Sequence, residues 1–258
     1  RDSLHARYGA CQALAHLKTS SPQAVATLRK QLKHEDLWLR VKAAEALAHI
    51  GQPAMGALPE LLTMTTKGPT PKDPRAMEQR YLSFAVFGKL LRKSLDGVDE
   101  KLLQEAIVAG LQNQDGRARG TIGGIYQKLS YEKIKPLLPS IHEAIVTPAP
   151  SGIMFASGVR VSGLEVLATH RIKEGLPLCL EVMELTKWGK NGRIKKCLDA
   201  LEKYGPAAKS LLPKLKQLEE DLSSHREAKM LKSHTERVRK IIQSLEETTD
   251  KVELRSIE

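Results

Sequence analysis

The chain has 258 residues, a mass of 28.6 kDa, a formal net charge of +11 and only 4% aromatic residues. Leucine, alanine and isoleucine dominate its apolar set, which suits helix-on-helix packing and argues against sheets built from β-branched and aromatic side chains. No apolar run is long enough to span a bilayer, and the three widely spaced cysteines, Cys11, Cys179 and Cys197, point to neither a zinc site nor a disulfide framework and favour a reducing compartment.

The first predicted helix carries RYGACQALAHL from Arg7, and RVKAAEALAHI repeats it from Arg40. Counting three, four, six, seven and ten positions from each arginine gives Ala10, Cys11, Ala13, Leu14 and Leu17, then Ala43, Ala44, Ala46, Leu47 and Ile50. That spacing is one apolar face of a helix at 3.6 residues per turn. The same slots follow Arg80 (Ser83, Phe84, Val86, Phe87, Leu90), Arg119 (Ile122, Gly123, Ile125, Tyr126, Leu129) and Arg160 (Gly163, Leu164, Val166, Leu167). Two later copies start at Ile194 and Val238, without an arginine at the anchor. Between the copies a second kind of helix recurs. Gly51 stands eight residues before Pro59, Gly205 eight before Pro213, and Leu138-Pro139-Ser140-Ile141 echoes the same core. A proline inside a helix costs about 3 kcal/mol and bends it, so these helices are expected to be kinked. Each repeat thus reads as helix, turn, helix.

The stretch LRVKAAEALAHIGQPAMGALPELL (residues 39–62) resembles a HEAT repeat of the bacterial HEAT-like, phycocyanobilin-lyase-like kind. The resemblance covers nearly the whole chain, is strongest from Ala6 to Leu62 and fades after Tyr204. It implies an all-α, right-handed α-solenoid of about six to seven helical pairs. First helices would line its convex side and second helices its concave side, in a single domain over 1–258 with 223–258 as a C-terminal cap. It implies scaffolding and binding rather than a reaction, because function lives in sites and not in folds. The chain opens at Arg1, inside what reads as a second helix, so an upstream domain of the same chain is expected, and the helix from Leu4 to Leu17 is expected to have part of its apolar face uncovered.

Two insertions rich in proline, GPTPKDP (68–74) and PAPSG (148–152), fall between first and second helices and are expected on one edge. The charged segment EEDLSSHREAKMLKSHTER (219–237) reads as a long exposed helical stretch. In DGRARGTIGGI (115–125), Gly116, Gly120, Gly123 and Gly124 crowd a helix start, where each glycine costs roughly 0.5–1 kcal/mol against alanine. Either neighbouring helices approach closely there or the inner wall is pared back for a ligand.

Catalytic templates fail. His34-Glu35 and His142-Glu143 begin like a zinc-protease helix, but Trp38 and Val146 occupy the position of the second histidine. No nucleophile elbow, phosphate loop or dinucleotide fingerprint is present, and no cofactor or metal is expected. His16 and His49 share a slot with Lys89, Lys128, Thr169 and Lys203, which marks it as a solvent-facing polar position. The arginine row is expected to pair with acids: Asp2, Asp36 and Asp115 precede Arg7, Arg40 and Arg119 by four or five residues, leaving Arg80 and Arg160 freer.

Two candidate surfaces remain. The register places Leu82, Ala85, Thr121 and Gly124 on a smooth, uncharged middle of the concave wall, bordered by Lys89 and Lys128. The turn TKWGKNGRIKK groups Lys187, Lys190, Arg193, Lys195 and Lys196 around Trp188, with no acid among them. It reads as a phosphate site at a helix start, or as a solvated turn whose tryptophan packs on the preceding helix. A protein or peptide on the concave face is the leading partner, nucleic acid or another polyanion the second, and a lyase-type auxiliary enzyme the third. Glu45, Glu165 and Asp199 in the inward slots speak against a continuous DNA groove.

Overall fold

A computed structural model describes residues 3–18, 20–68, 73, 75–92, 94–152 and 155–258. Among them there is no strand, only two isolated bridges. Contacts divide the chain into two compact units, Arg1–Ser140 with Thr147–Val159, and Ile141–Val146 with Arg160–Glu258.

The first unit contains α1 (Leu4–Leu17), α2 (Pro22–Gln31), α3 (Leu37–Ile50), α4 (Leu58–Thr66), α5 (Met77–Ala85), α6 (Glu100–Leu111), α7 (Gly116–Tyr126) and the short α8 (Tyr131–Ile134). Helices α1, α3, α5 and α7, the expected second helices, pack side by side in sequence, while α2, α4 and α6 back them. This is the two-layer stacking of an α-solenoid, in which each pair buries its apolar face only against its neighbours. The starts are set locally. Ser3, Ser21, Asp36, Asp99 and Asp115 each accept a hydrogen bond from a first-turn N–H, satisfying a donor the helix itself cannot. At the end of α3, Gly51 takes φ +79°, a left-handed conformation open to glycine without strain.

The recurring prolines do not kink their helices. Pro59 and Pro213 stand in the first turn of α4 and of a later helix, each after a short 3-10 turn. The missing proline N–H is there one that would lack an intrahelical partner anyway. The expected core slots hold best in α3, where Ala43, Ala44, Ala46, Leu47 and Ile50 are all buried. In α1 only Cys11 is buried, and Leu17 is 74% exposed. Helix α5 departs from the pattern: it runs into a π turn (Val86–Leu90) in which the Leu91 N–H bonds to the Val86 carbonyl, five residues back. Leu82 and Ala85 are buried and Phe84 is only half-buried, because α5 lies between α3 and α7, which close over its small flank.

Of the two insertions, residues 69–72 and 74 of the first lie outside the described residues. The second docks on the start of α7: the Ser151 N–H bonds to the Gln114 carbonyl, and the Gly116 N–H to the Ser151 carbonyl. A Cβ on Gly116 would stand 2.8 Å from the Gly152 carbonyl oxygen, whereas one on Gly124 would meet nothing within 4 Å. Close approach explains the first glycine and leaves the last facing open space.

Helix α9 (Leu138–Val146) and α10 (Ala156–Thr169) each contribute residues to both units. The second unit continues with α11 (Gly175–Glu181), α12 (Lys190–Tyr204), α13 (Leu212–Ser224) and α14 (Ala228–Glu247). The charged stretch expected to be one helix is broken at His225–Glu227, and α14 turns back to pack along α13, burying Leu231, Val238, Ile241, Ile242 and Leu245. Beyond α14 the chain runs back to the turn after α10. There the Arg255 N–H bonds to the Arg171 carbonyl, the Lys173 N–H to the Arg255 carbonyl, and Ser256 and Ile257 donate to Glu174.

Candidate interaction surface

Three arginines of the row, Arg40, Arg119 and Arg160, are internal fasteners. Arg40 donates to the His34 and Glu35 carbonyls at 2.7 and 2.8 Å and pairs bidentately with Glu78 at 2.5 and 2.7 Å. Arg119 bonds to the Asn113 and Thr147 carbonyls, and Arg160 to the Ile145 carbonyl and the Glu184 carboxylate. The pairing direction differs from the expected one. Each acid is met by the preceding repeat: Asp36 accepts from the Tyr8 hydroxyl at 2.6 Å, Glu78 is held by Arg40, and Asp115 faces Arg80 at 3.6 Å. An acid at a helix start points back toward the previous second helix, so it bridges repeats instead of closing on its own. The hydrogen bond to Asp36 pushes the Tyr8 phenol up to about 12. Asp2, the acid expected for Arg7, lies outside the described residues.

In the second unit the fastener is displaced by one residue. Arg193, not the position of Ile194, donates to the Met183, Glu184, Lys187 and Trp188 carbonyls at 2.9–3.4 Å. Its guanidinium is therefore committed to holding the turn and is not available to a phosphate. Lys187 pairs with Glu184, three residues before it, and Lys190 with the distant Glu227 at 2.6 Å, so acids outside the turn neutralise two of its lysines. Lys195 and Lys196 are exposed. Trp188 does not pack on the preceding helix: it is 91% exposed.

The concave-wall residues are not brought together as one surface. Leu82 and Ala85 are buried at 0% and 2% exposure and present nothing to a partner. Thr121 is half-buried with its hydroxyl bonded to the Ala118 carbonyl, and Gly124 is exposed. Lys128 is tied to the Leu91 and Arg92 carbonyls. Lys89 donates at 2.8 Å to Nε2 of His49, whose Nδ1 donates in turn to the Glu45 carbonyl at 2.7 Å. The inward position stays open or part-open elsewhere, at Gln12, Glu45 and Gly124 in the first unit and at Glu165 and Asp199 in the second.

A group of residues that the register did not single out does converge in the first unit. Trp38 and Tyr81 meet edge to face at 5.6 Å between ring centroids, and Tyr81 and Phe84 at 6.3 Å. The Arg80 guanidinium lies over both the Tyr81 and Phe84 rings, and Arg117 lies 5.1 Å from the Phe155 centroid. Asp115 joins the two arginines, 2.9 Å from Arg117. The available signal was aromatic residues one or two positions from an anchor arginine, in a chain with few aromatics. Among the described residues no group of three or more His, Cys, Asp or Glu could hold a metal ion. The Cys179 and Cys197 thiols are pushed up by burial, Cys197 to about 12.

A family model for HEAT repeats matches residues 2–78. Residues 2–78 thus carry HEAT repeats. The matched segment holds α1 to α4 and the start of α5, where the register is cleanest. No curated protein and no solved structure matches the chain. HEAT repeats are generally protein-interaction scaffolds, and no helix among the described residues is long and apolar enough to cross a membrane.

Proposed function

We propose that this HEAT-repeat chain is a non-enzymatic scaffold that holds a protein or peptide partner against its layer of second helices. The observation that supports this is the recurring inward slot of the first unit, which three repeats fill with small or polar residues at least partly open to solvent (Gln12, Glu45, Gly124). A row of equivalent positions on stacked repeats is the feature solenoids use to read an extended partner. Photo-crosslinking tests it, with a photoreactive side chain at Gly124 or, on the backing layer, at exposed Glu105 of α6. Partner adducts at Gly124 and none at Glu105 are expected. Adducts from Glu105 alone, or from neither, would remove the reading.

The basic turn supports a second reading, a polyanion contact, because Trp188 is 91% exposed and Lys195 and Lys196, a few residues on, are exposed too. If it operates, alanine at both lysines lowers the salt dependence of oligonucleotide binding by roughly two units, from a slope near −0.9 per phosphate on duplex DNA. Unchanged salt dependence would dismiss it.

A further inference from the structure

Arg80 stands at the anchor position yet makes none of the anchor's bonds. Arg40, Arg119, Arg160 and Arg193 all donate to backbone carbonyls; among the described residues Arg80 meets none, its Nε has no hydrogen-bond partner, and its one carboxylate contact is 3.6 Å from Asp115. A guanidinium carries five donors in a fixed fork, so this one is held largely by the Tyr81 and Phe84 rings. Asp115 is already engaged by Arg117, through Nε at 3.1 Å, Nη2 at 2.9 Å and the backbone N–H at 2.8 Å. One carboxylate thus serves two guanidiniums, and the hydrogen bond from Arg117 holds it below the usual carboxylate range. The local balance is one positive charge in excess, on a chain of net charge +11.

Around these two arginines stand four of the chain's ten aromatic residues. Trp38 is 39% and Phe155 45% exposed, so apolar surface and under-used guanidinium lie side by side. Tryptophan, tyrosine and arginine are the residue types that dominate binding energy at protein interfaces. We propose that Trp38, Arg80, Tyr81, Arg117 and Phe155 form a docking site for an acidic segment of a partner protein, in which a carboxylate pairs with the guanidiniums and an adjacent apolar side chain lies against the exposed rings. The arrangement favours a peptide over nucleic acid. Guanidiniums already lie over the rings of Tyr81, Phe84 and Phe155, where a base would stack, whereas the guanidinium fork matches a carboxylate. The proposal deepens the scaffold reading by naming a surface and a partner chemistry.

The test is fluorescence anisotropy of the whole chain with three labelled probes: a peptide alternating acidic residues with phenylalanine, its asparagine and glutamine counterpart, and a single-stranded oligonucleotide. The acidic peptide is expected to bind about tenfold or more tighter than its amide counterpart. Arg80→Gln with Arg117→Gln is expected to lose about tenfold, and Phe155→Ala, which alters only an exposed side chain, several-fold at unchanged helicity. The proposal is overturned if the acidic peptide fails to bind at millimolar concentration, if the amide peptide binds equally well, if Phe155→Ala and the arginine pair both bind like the parent, or if the oligonucleotide binds more tightly and depends on the same residues. Crosslinks to a protein partner at Gly124 that persist in the arginine variant would keep the scaffold and remove this site.

Discussion

Arg40 and Arg80 occupy the same position in successive helical repeats and have different fates. Arg40 reaches two loop carbonyls and both oxygens of a nearly buried glutamate, so its guanidinium is spent on joining one repeat to the next. Arg80 reaches no carbonyl among the described residues, stands off from its carboxylate and rests on aromatic rings. The residue type is the same, and what differs is the number of partners the fold supplies. In a repeat protein a position that has shed its structural bonds is a place where binding can be built without loss of the stack.

The comparison predicts a graded response to substitution. Arg40→Ala leaves the Glu78 carboxylate buried without its partner, and should cost roughly 3–5 kcal/mol in urea unfolding followed by circular dichroism. A loss below about 1 kcal/mol would show that the pair is not what holds α3 to α5. Arg193→Ala comes next. It strips a donor from four carbonyls, but these are neutral and water can reach part of the turn, so roughly 2–3 kcal/mol is expected.

Buried, committed groups should also report on pH. His234 is 8% exposed, its Nε2 lies 2.5 Å from Asn191, and burial, reinforced by Arg237, pulls its pKa below the ordinary histidine value. A group depressed on folding lends stability above its unfolded pKa that is lost as pH falls through the folded value. The melting temperature of the parent should therefore fall more between pH 7.5 and pH 5 than that of His234→Asn. Equal falls would mean that this histidine titrates as in the unfolded chain. Arg80→Gln should be the mildest change, costing about 1 kcal/mol, since it removes a loose pair and the contacts with two rings. A loss as large as that for Arg40→Ala would erase the distinction between the two repeats.

The repeat register could be followed from Arg7 to Val238 because periodicity is a local property of the chain. The caps at Asp36 and Asp115 are equally local, but the register marked these acids only as arginine partners. The register misled where a neighbour decided burial: Leu82 and Ala85 sit in inward slots that α3 and α7 close, and Phe84 sits in a core slot that they leave half open. Nor did it foresee that two lysines of the basic turn are met by Glu184 and Glu227 and that its arginine serves the backbone. The Trp38 to Phe155 group escaped notice because its members come from separate repeats and share no slot.

The sequence alone thus determined that the chain is built of helical pairs and which side of the repeated helices is apolar, since propensity and spacing act over a few residues. Tertiary structure decided which arginines are bonded and which are not. That choice depends on partners far along the chain, such as Glu78 for Arg40 at a separation of 38 residues, and on whether loops of unequal length bring carbonyls within about 3 Å of a guanidinium. A one-dimensional pattern holds no record of that distance, because it is set only when neighbouring repeats pack.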